Sequence, residues 1–157
     1  MEISRDLSVF ADYFQIHLMD RVANEDPGAA WTDEAVDRML AVGETWVGLG
    51  TLRNVTVPLT VHLAAQAPQL DLSQYDHAVS GSISIPSGEL AVLGCTGSLE
   101  EAEKISLEPG VYELLYVTSG TDSISYESGP ADDHYAVYLW PGSKHSPQLL
   151  KHWRPSA

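Results

Sequence analysis

Only one stretch of this chain, residues 32–42, sets apolar residues at helical spacing; elsewhere the apolar residues alternate with period two. That contrast restricts the fold more than any other feature. Thr32 is placed to cap the helix, its hydroxyl accepting from an otherwise unpaired backbone N–H. Asp33 and Glu34 fall in the first turn, where the helix dipole favours carboxylates. Val36, Met39 and Leu40 form one apolar stripe, and Gly43 is the expected residue just past the end. A short one-sided helix must lie against something, and a sheet follows it directly. Val55, Val57, Leu59, Val61 and Leu63 take every second position, the mark of a strand with one face on a core. Pro58 cannot donate to a ladder and puts this strand near an edge or at a bulge. Gly48 and Gly50 leave one face of the Trp46–Leu52 strand bare, admitting a close neighbour or a bend.

Alternation continues on both sides of this block. Val9–Met19 reads as a first strand, and Asp20–Ala30, with its N-E-D-P-G run, as a loop. Residues 64–74 show no sustained period. Tyr75–Ile85, turned by Pro86-Ser87-Gly88 into Glu89–Cys95, reads as a hairpin whose serine face is wet. Lys104–Leu107, Val111–Val117, His134–Trp140 and Gln148–Trp153 are further strands. Ser119–Asp133 is a long polar connection in which Ile124 and Tyr126 allow a short strand. About eight to nine short strands with frequent turns and one short α-helix predict a mainly β, antiparallel β-sandwich, residues 1–157 forming a single domain. A closed barrel is the alternative. A parallel α/β fold is disfavoured, because parallel strands need crossovers and one helix supplies too few.

Trp31-Thr32-Asp33-Glu34-Ala35, the apolar helix, and Arg53-Asn54 entering a strand resemble the competence protein J family, inhibitors of the nuclease of DNA uptake. Tyr13-Phe14-Gln15-Ile16 is similar to that family's N-terminal strand. The match is strongest over residues 9–63. It implies a β-rich protein that works by binding and inhibiting a nuclease, with no catalytic residues of its own.

Composition agrees with a folded domain. Of 157 residues, 44% are hydrophobic and 19% charged, which argues against disorder. No apolar run reaches membrane-spanning length. The opening M-E-I-S-R-D-L lacks the basic and apolar regions of a signal peptide, and the lone Cys95 excludes an internal disulfide framework. A cytoplasmic, bacterial-type protein is the expectation. The net charge of −14 opposes binding to nucleic acid or to anionic membranes and favours a basic partner, or simply maintains solubility.

No nucleophile elbow, phosphate loop, dinucleotide fingerprint or zinc-type spacing is present. Asp132-Asp133-His134 is the most chemical-looking triplet. It reads either as a metal-binding or proton-positioning cluster, or as a loop end at which Asp133 caps a turn before a strand. His62, His77, His145 and His152 share no spacing and are not expected to be ligands. Arg53 is expected to pair with a carboxylate near the helix and Asn54 to turn the chain, so Trp31, Thr32, Asp33, Glu34, Arg53 and Asn54 are read as structural. Trp31 and Trp46 flank the helix and should pin it to the sheet. Glu100, Glu101, Glu103, Asp122, Glu127, Asp132 and Asp133 lie in expected loops. If those loops share one end of a sandwich, they form a negative surface suited to a basic groove; otherwise they are solvated loop residues.

The leading expectation is therefore a small acidic inhibitor or immunity-type protein. It would occlude a nuclease or nuclease-like toxin, need no cofactor or metal and have no enzymatic activity, with a homodimer left open. The alternative is a ligand- or metal-binding sandwich with its site near Asp132–His134.

Overall fold

The alternating segments become eleven strands in two sheets in the computed structural model, which describes residues 2–126 and 129–153. In chain order these are β1 (Ile3–Phe10), β2 (Gln15–Asp20), β3 (Leu40–Val42), β4 (Trp46–Gly50), β5 (Thr56–Leu63), β6 (His77–Ile85), β7 (Glu89–Gly94), β8 (Glu103–Ser106), β9 (Gly110–Ser119), β10 (His134–Pro141) and β11 (Gln148–Lys151). Two short helices, α1 (Pro27–Ala30) and α2 (Asp33–Arg38), lie between β2 and β3. One sheet runs β1-β5-β10-β9-β6-β11 and the other β3-β4-β2-β7-β8. The fold is the expected β-sandwich. Ile16, Leu18, Leu49, Leu90 and Val92 from the smaller sheet join Leu59, Val61, Ile83, Leu114 and Tyr116 from the larger in one buried core. The outer face of the larger sheet carries a second cluster of Ala78, Leu115, Val117 and Ala136, packed by Leu70, Leu72 and Tyr75 from the connection before β6.

Several local expectations are corrected. The first strand is not continuous over Val9–Met19. It breaks after Phe10 into a 3-10 turn at Asp12–Phe14, and the chain crosses from one sheet to the other. The corner is held by hydrogen bonds that leave no periodic signal. The Asp12 carboxylate accepts from the Thr96 N–H at 3.1 Å, the Asn54 side-chain oxygen from the Tyr13 N–H at 2.9 Å, and the Val55 carbonyl from the Ala11 N–H at 3.0 Å.

The helix begins as expected, with the Thr32 hydroxyl accepting from the Ala35 N–H at 3.2 Å. It ends earlier than expected, at Arg38. Met39 takes the left-handed conformation (φ 63°) that Gly43 was expected to supply, and Leu40–Val42 becomes an edge strand. Gly50 makes this possible: a Cβ there would lie 3.1 Å from the Met39 Cα, and its N–H donates to the Met39 carbonyl at 2.9 Å. The stripe is therefore split. Met39 and Leu40 are buried, whereas Val36 is 62% exposed. Ala35, fully buried beside Ala41 and Trp46, anchors the helix instead.

The expected hairpin of β6 and β7 does not form. β6 pairs with β9 and β11, and β7 with β2 and β8, so the Pro86–Gly88 turn carries the chain between sheets. Buried Asp20, at the end of β2, draws the turn over, accepting from the Ser87 N–H at 3.0 Å and its hydroxyl at 2.8 Å. The serine face of β6 is partly covered, since Ser82 exchanges hydrogen bonds with the backbone of His145.

β5 lies second from the edge of the larger sheet, beside edge strand β1, near an edge as expected, and pairs in parallel with β10 on its other side. Pro58 is tolerated because the parallel register begins one residue later, at Leu59. The 119–133 connection holds a 3-10 turn at Thr121–Ser123 where a short strand at Ile124 and Tyr126 was allowed for.

Candidate partner-binding surface

The strand registers bring four connections to one end of the sandwich. Phe10 opposite Thr56, Gln15 opposite Gly50, Ile16 opposite Gly94 and His134 opposite Ser119 are the last pairs there. Residues 11–14, 51–55, 95–102 and 120–133 emerge beyond them. Loops at one end of such a scaffold are where a binding surface is most readily built.

Arg53 organises this end from inside. Its guanidinium meets the Asp133 carboxylate at 2.5 Å and donates to the Gly129 carbonyl at 2.8 Å. The Tyr135 hydroxyl donates to the same carboxylate at 2.6 Å and accepts from the Leu52 N–H at 3.2 Å. The hydrogen bond to Asp133 raises the Arg53 pKa above its usual value, and burial drives the Tyr135 hydroxyl far up. The network ties the 120–133 connection to the 51–55 connection. Arg53 thus pairs with a carboxylate, as expected, but one 80 positions downstream and not near the helix.

The expected acidic surface is redistributed. Glu100, Glu101, Asp122 and Asp132 are exposed in two separate loops of the same end, and Glu103, also exposed, opens strand β8 and does not lie in a loop. Asp133 is buried against Arg53 and offers nothing to a partner. Glu127 lies outside the described residues. Asp122 accepts from the Trp153 indole at 3.3 Å. The Asp132-Asp133-His134 triplet diverges: Asp132 faces solvent, Asp133 turns inward, and His134 meets the Thr60 hydroxyl at 3.1 Å. Neighbours entering a strand point to opposite faces, and nothing bends these together. Among the described residues no three His, Cys, Asp or Glu side chains converge so as to hold a metal ion.

The histidines have structural partners. His77, fully buried, donates from Nε2 to the Arg38 carbonyl at 2.7 Å and accepts at Nδ1 from the Trp153 N–H at 3.0 Å, an arrangement open only to the neutral ring. Burial lowers its pKa. His62 stacks on Tyr138, and His152 meets Asp37 at 2.9 Å. His145 stands 3.5 Å from Glu113.

Beside Arg53 and Asn54 lies a half-open groove of about 540 Å³. Tyr13, Phe14, Trp31, Val36, Met39 and Leu52 line it. Trp31 donates to Gln15 at 2.9 Å, and Trp46 is buried beneath the helix, so the two tryptophans do hold α2 to the smaller sheet. Both rings lie over Gly48, where a Cβ would come within 2.7 Å of Trp31 and 2.8 Å of Trp46. Tyr13-Phe14-Gln15 and the Trp31–Val36 stretch, two segments of the family resemblance that are separate in sequence, therefore share one concavity, with Leu52 lining it just before Arg53. Sequence reasoning treated Val36 as core and Tyr13 as mid-strand; both are exposed at the groove, at 62% and 66%. Only the early helix stop and the broken first strand reveal them, and neither has a composition signal.

No family model matches this sequence, and no curated protein matches it. Two solved structures share its fold. One is ComJ from Bacillus subtilis, described as the inhibitor of the DNA degrading activity of NucA; it superposes with a TM-score of 0.70 at 15% identity, over 90% of this chain and 99% of that one. The other is the product of crocagin biosynthetic gene J, with a TM-score of 0.63 at 24% identity, over 91% of this chain and 99% of that one. The competence protein J likeness seen over residues 9–63 thus extends, as a fold, across nine-tenths of the chain.

Proposed function

We propose, from the competence protein J fold, that this protein is a small acidic inhibitor or immunity-type protein that binds a nuclease, or a nuclease-like toxin, and occludes its active site. The observation that carries the reading is the likeness to ComJ over 90% of the chain. The mechanism is coverage and not chemistry. Exposed carboxylates take the path of a nucleic-acid backbone, and the net charge of −14 accelerates encounter with a basic face. The sequence motifs are those of a scaffold and the protein needs no cofactor, so it is read as a non-enzyme acting in the cytoplasm. Among the described residues no helix is long and apolar enough to cross a membrane.

The test is direct. Purified protein is added to each nuclease encoded in the same genome, and degradation of plasmid DNA is followed. Stoichiometric suppression of one of them supports the reading; full activity of all of them at excess inhibitor refutes it.

A second reading has its own support. The higher identity, 24%, is to the product of a biosynthetic gene. On that reading the same surface binds a component of a biosynthetic assembly. Co-purification with a neighbouring biosynthetic enzyme, without any effect on nucleases, separates the two.

A further inference from the structure

The groove between α2 and the Tyr13–Phe14 corner has three properties that the fold alone does not require. The first is apolar exposure. Tyr13 and Val36 stand 66% and 62% exposed on its rim, above half-buried Trp31 and buried Met39. Scattered exposed apolar residues are ordinary, but two that line the same concavity together with a tryptophan are not scattered.

The second is backbone conformation. Among the described residues, three that are not glycine have positive φ: Tyr13 at 57°, Phe14 at 62° and Met39 at 63°. All three line this groove. The left-handed region is costly for bulky side chains, and such residues persist only where their surroundings hold them. Here the Asn54 side chain accepts from the Tyr13 N–H, the Phe14 carbonyl accepts from the Thr51 N–H at 2.9 Å, and the Met39 carbonyl from Gly50. At Tyr13 the outcome is a ring held out toward solvent.

The third is charge. Asp33 stands one helical turn before Val36, exposed and without an ion pair among the described residues. The two arginines nearby are tied down: Arg38 donates to the Leu40 carbonyl at 2.7 Å, and Arg53 is buried on Asp133. On α2 the exposed Asp33, Glu34 and Asp37 outnumber Arg38, so the helix side of the rim offers a partner a net negative charge. An apolar centre with a charged margin is the anatomy of an interface hot spot.

We infer that this groove is the docking site for the inhibited nuclease, taking an apolar side chain presented by a lysine- and arginine-rich face of that enzyme. The inference rests on the inhibitor reading above and adds where the contact lies. It makes Tyr13 and Val36 the anchors and Asp33 the charged margin. The exposed carboxylates of Glu100, Glu101, Glu103, Asp122 and Asp132 supply steering from the same end. The comparable groove at the other end of the sandwich, beside Ile3, Leu107 and Tyr112, has no left-handed residue on its walls and serves as the control surface.

The experiment uses the full chain and a nuclease of the same genome whose DNA degradation the parent protein suppresses. Val36→Lys places a like charge on the rim, and Tyr13→Asn removes the ring while keeping a residue that tolerates the left-handed conformation. Both sites are exposed, so thermal midpoints stay near the parent's; should Val36→Lys misfold, Tyr13→Asn carries the test. Each is expected to raise the concentration for half-inhibition about tenfold or more, while Glu108→Lys at the control groove leaves it within about twofold. Unchanged inhibition by both groove variants overturns the docking site but leaves the inhibitor reading standing, most clearly if Glu100→Lys/Glu103→Lys abolishes inhibition instead. If Val36→Lys only converts a parent dimer to monomers in sedimentation, with inhibition unchanged, the groove joins two copies of this chain and the inference is wrong. If the parent suppresses no nuclease, the inhibitor reading fails and the docking site falls with it.

Discussion

Arg53 and Asp133 meet at 2.5 Å with side chains 9% and 0% exposed, joining the connection after β4 to the connection before β10. One end of the sandwich is therefore fastened from within. Its outward-facing loops are free to carry a binding surface because this internal ion pair, together with the hydrogen bonds at the Asp12–Phe14 corner, fixes their bases.

Breaking that pair from one side should be costly. Asp133→Ala leaves the guanidinium buried with only the Gly129 carbonyl, and a stranded buried charge costs roughly 3–5 kcal/mol. Urea unfolding measures it. Arg53→Met combined with Asp133→Leu is expected to recover much of the loss, since an apolar pair strands no charge. A single Asp133→Ala that unfolds at the parent's urea midpoint would show that the pair does not hold this end.

This network also shows what the sequence disclosed and what it hid. The alternation of Val55–Leu63 and of Tyr135, Val137 and Leu139 reported strands with one face in the core, because burial on one face imposes period two. The Thr32 cap was readable because capping is local. The partner of Arg53 was not, since residues 80 positions apart meet only after the sheets pack. The β6–β7 hairpin failed for the same reason: a turn of three residues serves a hairpin or a sheet crossing equally well, and Asp20 decides between them from 67 positions away. The exposed anchors at the groove were hidden deepest. Tyr13 and Val36 lie in patterns that fit a core, and only the left-handed backbone at Tyr13, Phe14 and Met39 turns them out. The acidic surface was partly legible, with Asp133 the residue that charge counting could not separate from its neighbours.

Stability should fall on mild acidification. Burial lowers the His17 pKa to about 4, against a smaller opposing pull from Asp12. The ring donates from Nε2 to the Gln15 side-chain oxygen at 2.8 Å and packs edge-on to Trp46. An unfolded histidine takes its proton near pH 6.5, whereas the folded one resists down to about 4. Between those values the unfolded chain binds more protons, so stability is complete above about pH 6.5 and declines as pH falls through the window, by roughly 3 kcal/mol. His77, also lowered, acts in the same direction. Unfolding curves from pH 7.5 to 4.5 check this, with His17→Gln expected to flatten the slope; an identical slope in that variant would assign the effect elsewhere.

Gly48 is predicted to be intolerant of any side chain. A methyl group there meets Trp31 at 2.7 Å and Trp46 at 2.8 Å, and both rings hold α2 against the smaller sheet. Gly48→Ala should destabilise by about 1–3 kcal/mol, the usual cost of overpacking. Tryptophan fluorescence should shift to the red as Trp46 loses its burial. Unchanged emission and stability would mean that the helix is not seated through these rings.

The central claim is that the competence protein J fold serves here to cover a nuclease. The most direct measurement is degradation of plasmid DNA by the nucleases of the same genome, titrated with this purified protein. The account predicts that one of them stops at about one inhibitor per enzyme, and that inhibition weakens as salt screens the charge on both partners. DNA degradation that proceeds at the uninhibited rate in every case, at large excess of this protein and low salt, would contradict it.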